Sequence, residues 1–367
     1  VVCALRGLPL AGVGTPTALA LLALYVTGLV LLDERQTQAR VTRHLPGRCH
    51  DALNRLLRTM PRSTRAVMAA LIRWVQRRGA GGYLCLDDVI VEKACAVRLR
   101  WAGWAYSHAR KRQVYGLHVV VLVWCDHAGR WRIPVAFRLW RPKRSCAAHD
   151  YRTKTALAAA MLREVVGAGL RADFLAFDTH DTAGWLTKPV TRLGLPWHGT
   201  LAPNTTVVYR GRRGPVRELA AQVRLRWRAH LGLRAGVATV YAPSYGVLRL
   251  VVTRNRHGNH EYLVSNAARA DLTTMVRRKR ARWSVETVFR DTKQLAGLAA
   301  RQARVDQAMV RHVALVLLTF VVLQRLRRSP GETVGGVKAR WKLAVLRDGE
   351  PPPAPLRACP PELRATA

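Results

Sequence analysis

Two short apolar runs that close on acids constrain this chain more than any other feature. Tyr83 to Asp88 reads YLCLDD and Asp173 to Asp178 reads DFLAFD, in a chain with only 22 Asp and Glu against 61 Lys and Arg. An acid closing an apolar strand is costly to bury without a partner, so each of these needs a reason. Between them lie two more strand-like runs, Val114 to Cys125 and Trp131 to Trp140, joined by the turn Asp126 to Arg130, and then an Ala-rich helical stretch, Thr153 to Val166. A helix over Asp181 to Leu193 and a strand over Pro196 to Leu201 follow, giving the order β-β-β-α-β-α-β.

A third acid stands in a different setting. Arg277 to Leu298 (RRKRARWSVETVFRDTKQLAGL) reads as one helix, with Trp283, Val285, Val288, Phe289 and Leu295 as apolar anchors. Arg282, Glu286, Arg290 and Lys293 recur at four, four and three, so one acid sits on a cationic stripe. Such a stripe is commonly a solvated face laced by i,i+4 pairs. It is also what a metal-holding carboxylate flanked by phosphate-gripping cations looks like. Metal-assisted phosphoryl transfer needs about three carboxylates from different parts of the chain, and two strand-terminal acids plus Glu286 supply that number.

The net charge of +39 predicts an extended polyanion as partner, nucleic acid before an acidic membrane surface. Seven cysteines form no C-x-x-C pair and are odd in number, which suggests neither a zinc ribbon nor a disulfide scaffold and fits a cytoplasmic, nucleoid-associated protein. The apolar run Ala18 to Leu32 is too short to span a bilayer and reads as a buried helix, so no membrane and no small-molecule substrate is expected.

The rest of the chain divides by pattern. Residues 1–80 read as helical, with short amphipathic stretches at Arg35 to His44 and Asp51 to Met60 that suit either a DNA-end-binding pair or a lid. Residues 81–201 and 267–328 form the α/β core. Residues 202–266 read as a β-rich insertion, with strands at Thr205 to Tyr209, Gly236 to Tyr241, Gly246 to Thr253 and His260 to Ser265. A hydrophobic helix over Val310 to Leu326 is expected to pack under the Glu286 helix, and residues 329–367, rich in Gly, Pro and Arg, read as a mobile basic tail.

Three strands, a helix, a fourth strand and further helices, with acids ending strands one and four and a third acid on a late helix, is the layout of a ribonuclease-H-like mixed sheet flanked by helices. The chain resembles the DDE transposases of bacterial insertion sequences, in the subgroup whose last acid lies in a Y-x2-R-x3-E-x6-K signature. Arg282, Glu286 and Lys293 match at that spacing, while the tyrosine position holds Lys279 and Val89 stands where threonine is common. The resemblance covers roughly Gly81 to Gln302. It implies Asp88, Asp178 and Glu286 as catalytic metal ligands for Mg2+, with Mn2+ as a substitute, and Asp87 orienting its neighbour. It implies Arg282 and Lys293 as phosphate contacts and Asn204 as a polar residue near the DNA; Lys279, in the basic cluster Arg277 to Arg282, and Arg290 join the candidate DNA-binding residues by their charge. Arg290 is outside the signature, and its first reading is an i,i+4 partner of Glu286. The implied activity is metal-dependent cleavage at the element's ends and strand transfer into target DNA by a homodimer on paired ends. A nuclease that cuts without joining, and an inactive DNA-binding remnant, are the alternatives.

Overall fold

The computed structural model describes residues 1–32, 41, 50–59, 63–79, 81–93, 96, 98–107, 110–179, 182–300 and 305–348. The expected stretch at Arg35 to His44 apart from Val41, the last residue of the expected helix at Asp51 to Met60, the first residue of the expected helix at Asp181 and the expected tail beyond residue 348 lie outside them. The chain forms two compact units, one of residues 75–91 and 101–287, the other of residues 1–74, 92–100 and 288–367.

In the first unit the strands are β1 (Gly82–Glu92, its last residue outside the unit), β2 (Gly103–Ser107), β3 (Arg112–Asp126), β4 (Arg132–Trp140), β5 (Leu175–Ala176), β6 (Trp197–Leu201), β7 (Thr206–Tyr209), β8 (Arg212–Pro215), β9 (Arg226–Arg228), β10 (Leu233–Ala242), β11 (Gly246–Arg254) and β12 (His260–Ser265). They form one mixed sheet in the order β2-β3-β1-β5-β6-β12-β11-β10-β7-β8, with β4 also on β3 and β9 on β10. The path β4-β3-β1-β5-β6, with β5 parallel to both β1 and β6, is the ribonuclease-H-like arrangement. β12 joins β6 antiparallel, so the insertion continues the same sheet.

Several elements differ from the expected bounds. β1 runs on through Glu92, so Asp87 and Asp88 lie inside it and not at its end. β5 is only two residues long, and Asp178 follows it by two. β2, β8 and β9 carried no usable pattern: RRGP and RWR are short and basic, and only pairing to a neighbour makes them strands.

The helices of the second unit are α1 (Val2–Arg6), α2 (Pro16–Leu31), α3 (His50–Thr59) and α4 (Ser63–Gln76), the last two residues of α4 lying in the first unit. α5 (Lys154–Gly167), α6 (Gly184–Arg192), α7 (Val216–Leu219) and α8 (Leu272–Ala281) belong to the first. α5 is capped by the Thr153 hydroxyl accepting from Ala156 N–H, and it packs on β3 and β4. α8 is capped by Asp271 and lies against β5, β6, β10 and β12, with Met275 and Val276 in a cluster with Leu231, Val251 and Leu263.

α9 (Trp283–Leu295) starts in the first unit and continues into the second, which also holds α10 (Asp306–Arg325) and α11 (Val334–Asp348). α10 is long and apolar enough to cross a membrane, but 83% of its apolar window is buried, and its neighbours are α2, α3 and α11, as for a core helix. Its His312 ring joins the Tyr25 hydroxyl at 2.9 Å and the Gly297 carbonyl at 3.0 Å.

The expected mobile tail is in part a packed helix. Val334, Val337 and Trp341 of α11 are buried, and the Lys338 ammonium donates to Leu29, Leu32 and Leu295 carbonyls at 3.2, 2.6 and 2.6 Å. Those carbonyls close the C-terminal turns of α2 and α9, where a cation is favoured.

Candidate active site

The site is built on β1, because a strand turns successive side chains to opposite faces. On one face the Tyr83 hydroxyl meets Ser284 Oγ at 3.2 Å, Cys85 Sγ meets the Ala281 carbonyl at 3.6 Å, and Asp87 Oδ2 accepts from Arg282 Nη1 at 2.9 Å. Three alternate residues of one strand therefore touch one stretch of chain, 281–284. On the other face Asp88 Oδ2 accepts from Lys154 Nζ of α5 at 2.6 Å and stands 3.9 Å from His118 Nδ1.

The register of the sheet adds the second acid. β1 and β5 pair Leu84 with Leu175 and Cys85 with Ala176, so two residues further on Asp87 comes level with Asp178 and on the same face. Burial, and then the Asp178 charge, push the Asp87 carboxyl up to about 7 against the opposing pull of Arg282.

The third acid arrives at the junction of α8 and α9. The expected single helix is two, meeting at Arg282, whose backbone stays helical. Arg282 Nη2 donates to Glu286 Oε1 one turn on at 2.5 Å. One guanidinium thus forks between acids on two elements, and the Asp178 charge acts on Arg282 and on Asp87. Burial disfavours the Arg282 cation, but Asp87, Glu286 and Asp178 together outweigh it and raise its pKa above the ordinary value.

The expected ligand Asp88 is therefore not among the converging acids. Strand alternation points it at Lys154 and His118, while Asp87, expected only to orient its neighbour, faces Asp178 and Arg282. The Asp88 N–H does donate to Asp87 Oδ1 at 2.8 Å, so the orienting runs from Asp88 to Asp87.

Among the candidate DNA contacts, Lys279 is tied to Glu261 at 2.6 Å and Arg290 to Asp291 at 3.1 Å, so Arg290 does not pair with Glu286. Asn204 is exposed in the turn before β7. Lys293 is exposed on α9 seven residues beyond Glu286, a spacing that returns to within about 20° of the same helix face. Trp283, expected as an apolar anchor, is 63% exposed, whereas Val285 and Val288 are fully buried.

Lys154 and His118 had no prominence in the sequence. His118 is 3% exposed, and neither ring nitrogen has a hydrogen-bond partner. Burial and then Lys154 lower its pKa to about 4, against Asp88.

Does the set suit a hard divalent cation? Its donors are all carboxylate oxygens from three elements, the chemistry such ions take. As it stands Asp87 and Glu286 close on a guanidinium that also feels the Asp178 charge. Among the described residues no three acidic, His or Cys side chains are grouped closely enough to hold a metal ion.

The family model described as DDE superfamily endonuclease matches residues 10–234, more than half of the chain. The match takes in Asp87, Asp88 and Asp178 and ends before Arg282 and Glu286. No curated protein matches the chain.

Proposed function

Because the chain belongs to the DDE superfamily of endonucleases, we propose that it is a transposase of a bacterial insertion sequence, in the Y-R-E-K subgroup, that cuts DNA at the element's ends and joins the freed ends to target DNA. The observation that carries this reading is the convergence of Asp87, Asp178 and Glu286 on Arg282. Endonucleases of this superfamily act on DNA and generally use divalent metals.

Asp87, Asp178 and Glu286 would hold Mg2+, or Mn2+ in its place. When bound, the ions supply acidification of the attacking hydroxyl and neutralisation of charge on the leaving oxygen. The chain's own part is positioning. Asp88 N–H fixes the Asp87 rotamer, the Tyr83–Ser284 contact ties β1 to the start of α9, and Arg282 and Lys293 grip phosphates beside the scissile bond. Lys279 stands in the signature's tyrosine position and braces α8 to β12 through Glu261.

Two protomers on paired ends complete the reading, with DNA affinity falling as salt rises, by a log–log slope of about −0.9 per phosphate neutralised. The test is cleavage and joining of DNA carrying the sequences that flank the gene, in Mg2+ or Mn2+, by the parent and by Glu286→Gln. Cutting and joining by the parent alone supports the transposase. Cutting without joined products reassigns the chain as a nuclease, and binding without cutting makes it an inactive remnant.

A further inference from the structure

Arg282 occupies the centre of the acidic set. Its side chain is 16% exposed and its two terminal nitrogens go to different acids, Asp87 on β1 and Glu286 on α9. Asp87 is 17% and Glu286 31% exposed, so neither acid is buried beyond reach of another cation. Arg282 is the backbone link between α8 and α9, and its backbone is helical. A phosphate offers the same fork-on-anion geometry that the two carboxylates now supply.

We propose that Arg282 is a counter-cation latch: in the DNA-free protein it neutralises the acidic set and keeps divalent cations out, and a DNA phosphate draws it away and opens the set. This rests on the three-acid reading above and gives it a regulation. Cation uptake and DNA binding then favour one another, and by linkage each raises the affinity of the other by the same factor. Cutting is thereby confined to protein already seated on DNA.

The test measures Mn2+ binding to the full DNA-free chain, by electron paramagnetic resonance of the free ion. Parent, Arg282→Gln, Arg282→Lys and Glu286→Gln are compared. The latch predicts that Arg282→Gln binds Mn2+ about tenfold more tightly than the parent, within the usual range of coupling between sites. Arg282→Lys, whose point charge cannot fork, falls between them and decides the matter should the Gln variant fail to fold. Fluorescence anisotropy with a short DNA duplex supplies the reciprocal reading: Mn2+ tightens duplex binding by the parent more than by Arg282→Gln. Equal Mn2+ affinity in parent and Arg282 variants, abolished by Glu286→Gln, overturns the latch and leaves the three-acid site standing. Mn2+ binding that Glu286→Gln does not weaken overturns both.

Discussion

The two faces of β1 carry neighbouring aspartates in contrasting company. Asp87 shares its face with Asp178 and with Arg282, whose two terminal nitrogens go to Asp87 and to Glu286. Asp88 faces one lysine and a histidine held neutral, so its charge is matched one to one. An acid matched by a fixed lysine is a structural tie between β1 and α5. A guanidinium shared between Asp87 and Glu286 instead ties acids of two elements to one charge. The company each acid keeps, more than the presence of acids, distinguishes the two faces.

The largest effects expected from this contrast are on chemistry. Asp178→Asn and Glu286→Gln should each lower metal-dependent DNA cleavage by roughly a thousandfold or more, about 4 kcal/mol of transition-state stabilisation, with DNA binding retained. Single-turnover cleavage alongside a binding assay checks this, and a variant that keeps near-parental cleavage removes its acid from the active set.

The next effect is on stability and belongs to the other face. His118 has a folded-state pKa of about 4 against an ordinary 6.5, so the unfolded chain binds the proton more readily. Its contribution is fully present above pH 6.5 and is lost as pH falls through that value toward 4, by roughly 3 kcal/mol at most. Denaturant midpoints between pH 7.5 and 4 should fall less steeply in His118→Gln than in the parent; parallel profiles would show that this ring does not govern the acid limb. The smallest effect is that of the tie itself. Lys154→Met should cost about 1 kcal/mol, because both partners are partly solvated, and should leave cleavage near the parental rate. A large loss of activity in that variant would dissolve the distinction between the faces.

Much of the core was legible because its signals are local. The strand runs, the helix after Thr153 and the i,i+4 pair of Arg282 with Glu286 follow from periodicity and capping. Which of two adjacent aspartates faces Asp178 and Arg282 was not, since YLCLDD is apolar on both faces and alternation cannot say which one is which. Register with β5 decides it, and register is a long-range property. The tail misled for a related reason. Gly and Pro content suggested mobility, while Val334, Val337 and Trp341 at three and four apart already marked a helix face with Lys338 beside it. Trp283 misled in the other direction, because a tryptophan beside an apolar stripe is not thereby part of it.

The most direct test of the central claim exchanges the two aspartates' roles. Asp87→Asn and Asp88→Asn, purified and shown to be folded, are compared for DNA cleavage in Mg2+. The account predicts that Asp87→Asn is inactive while Asp88→Asn retains at least about a tenth of the parental rate, a loss of no more than roughly 1.4 kcal/mol. Inactive Asp88→Asn with active Asp87→Asn would contradict it.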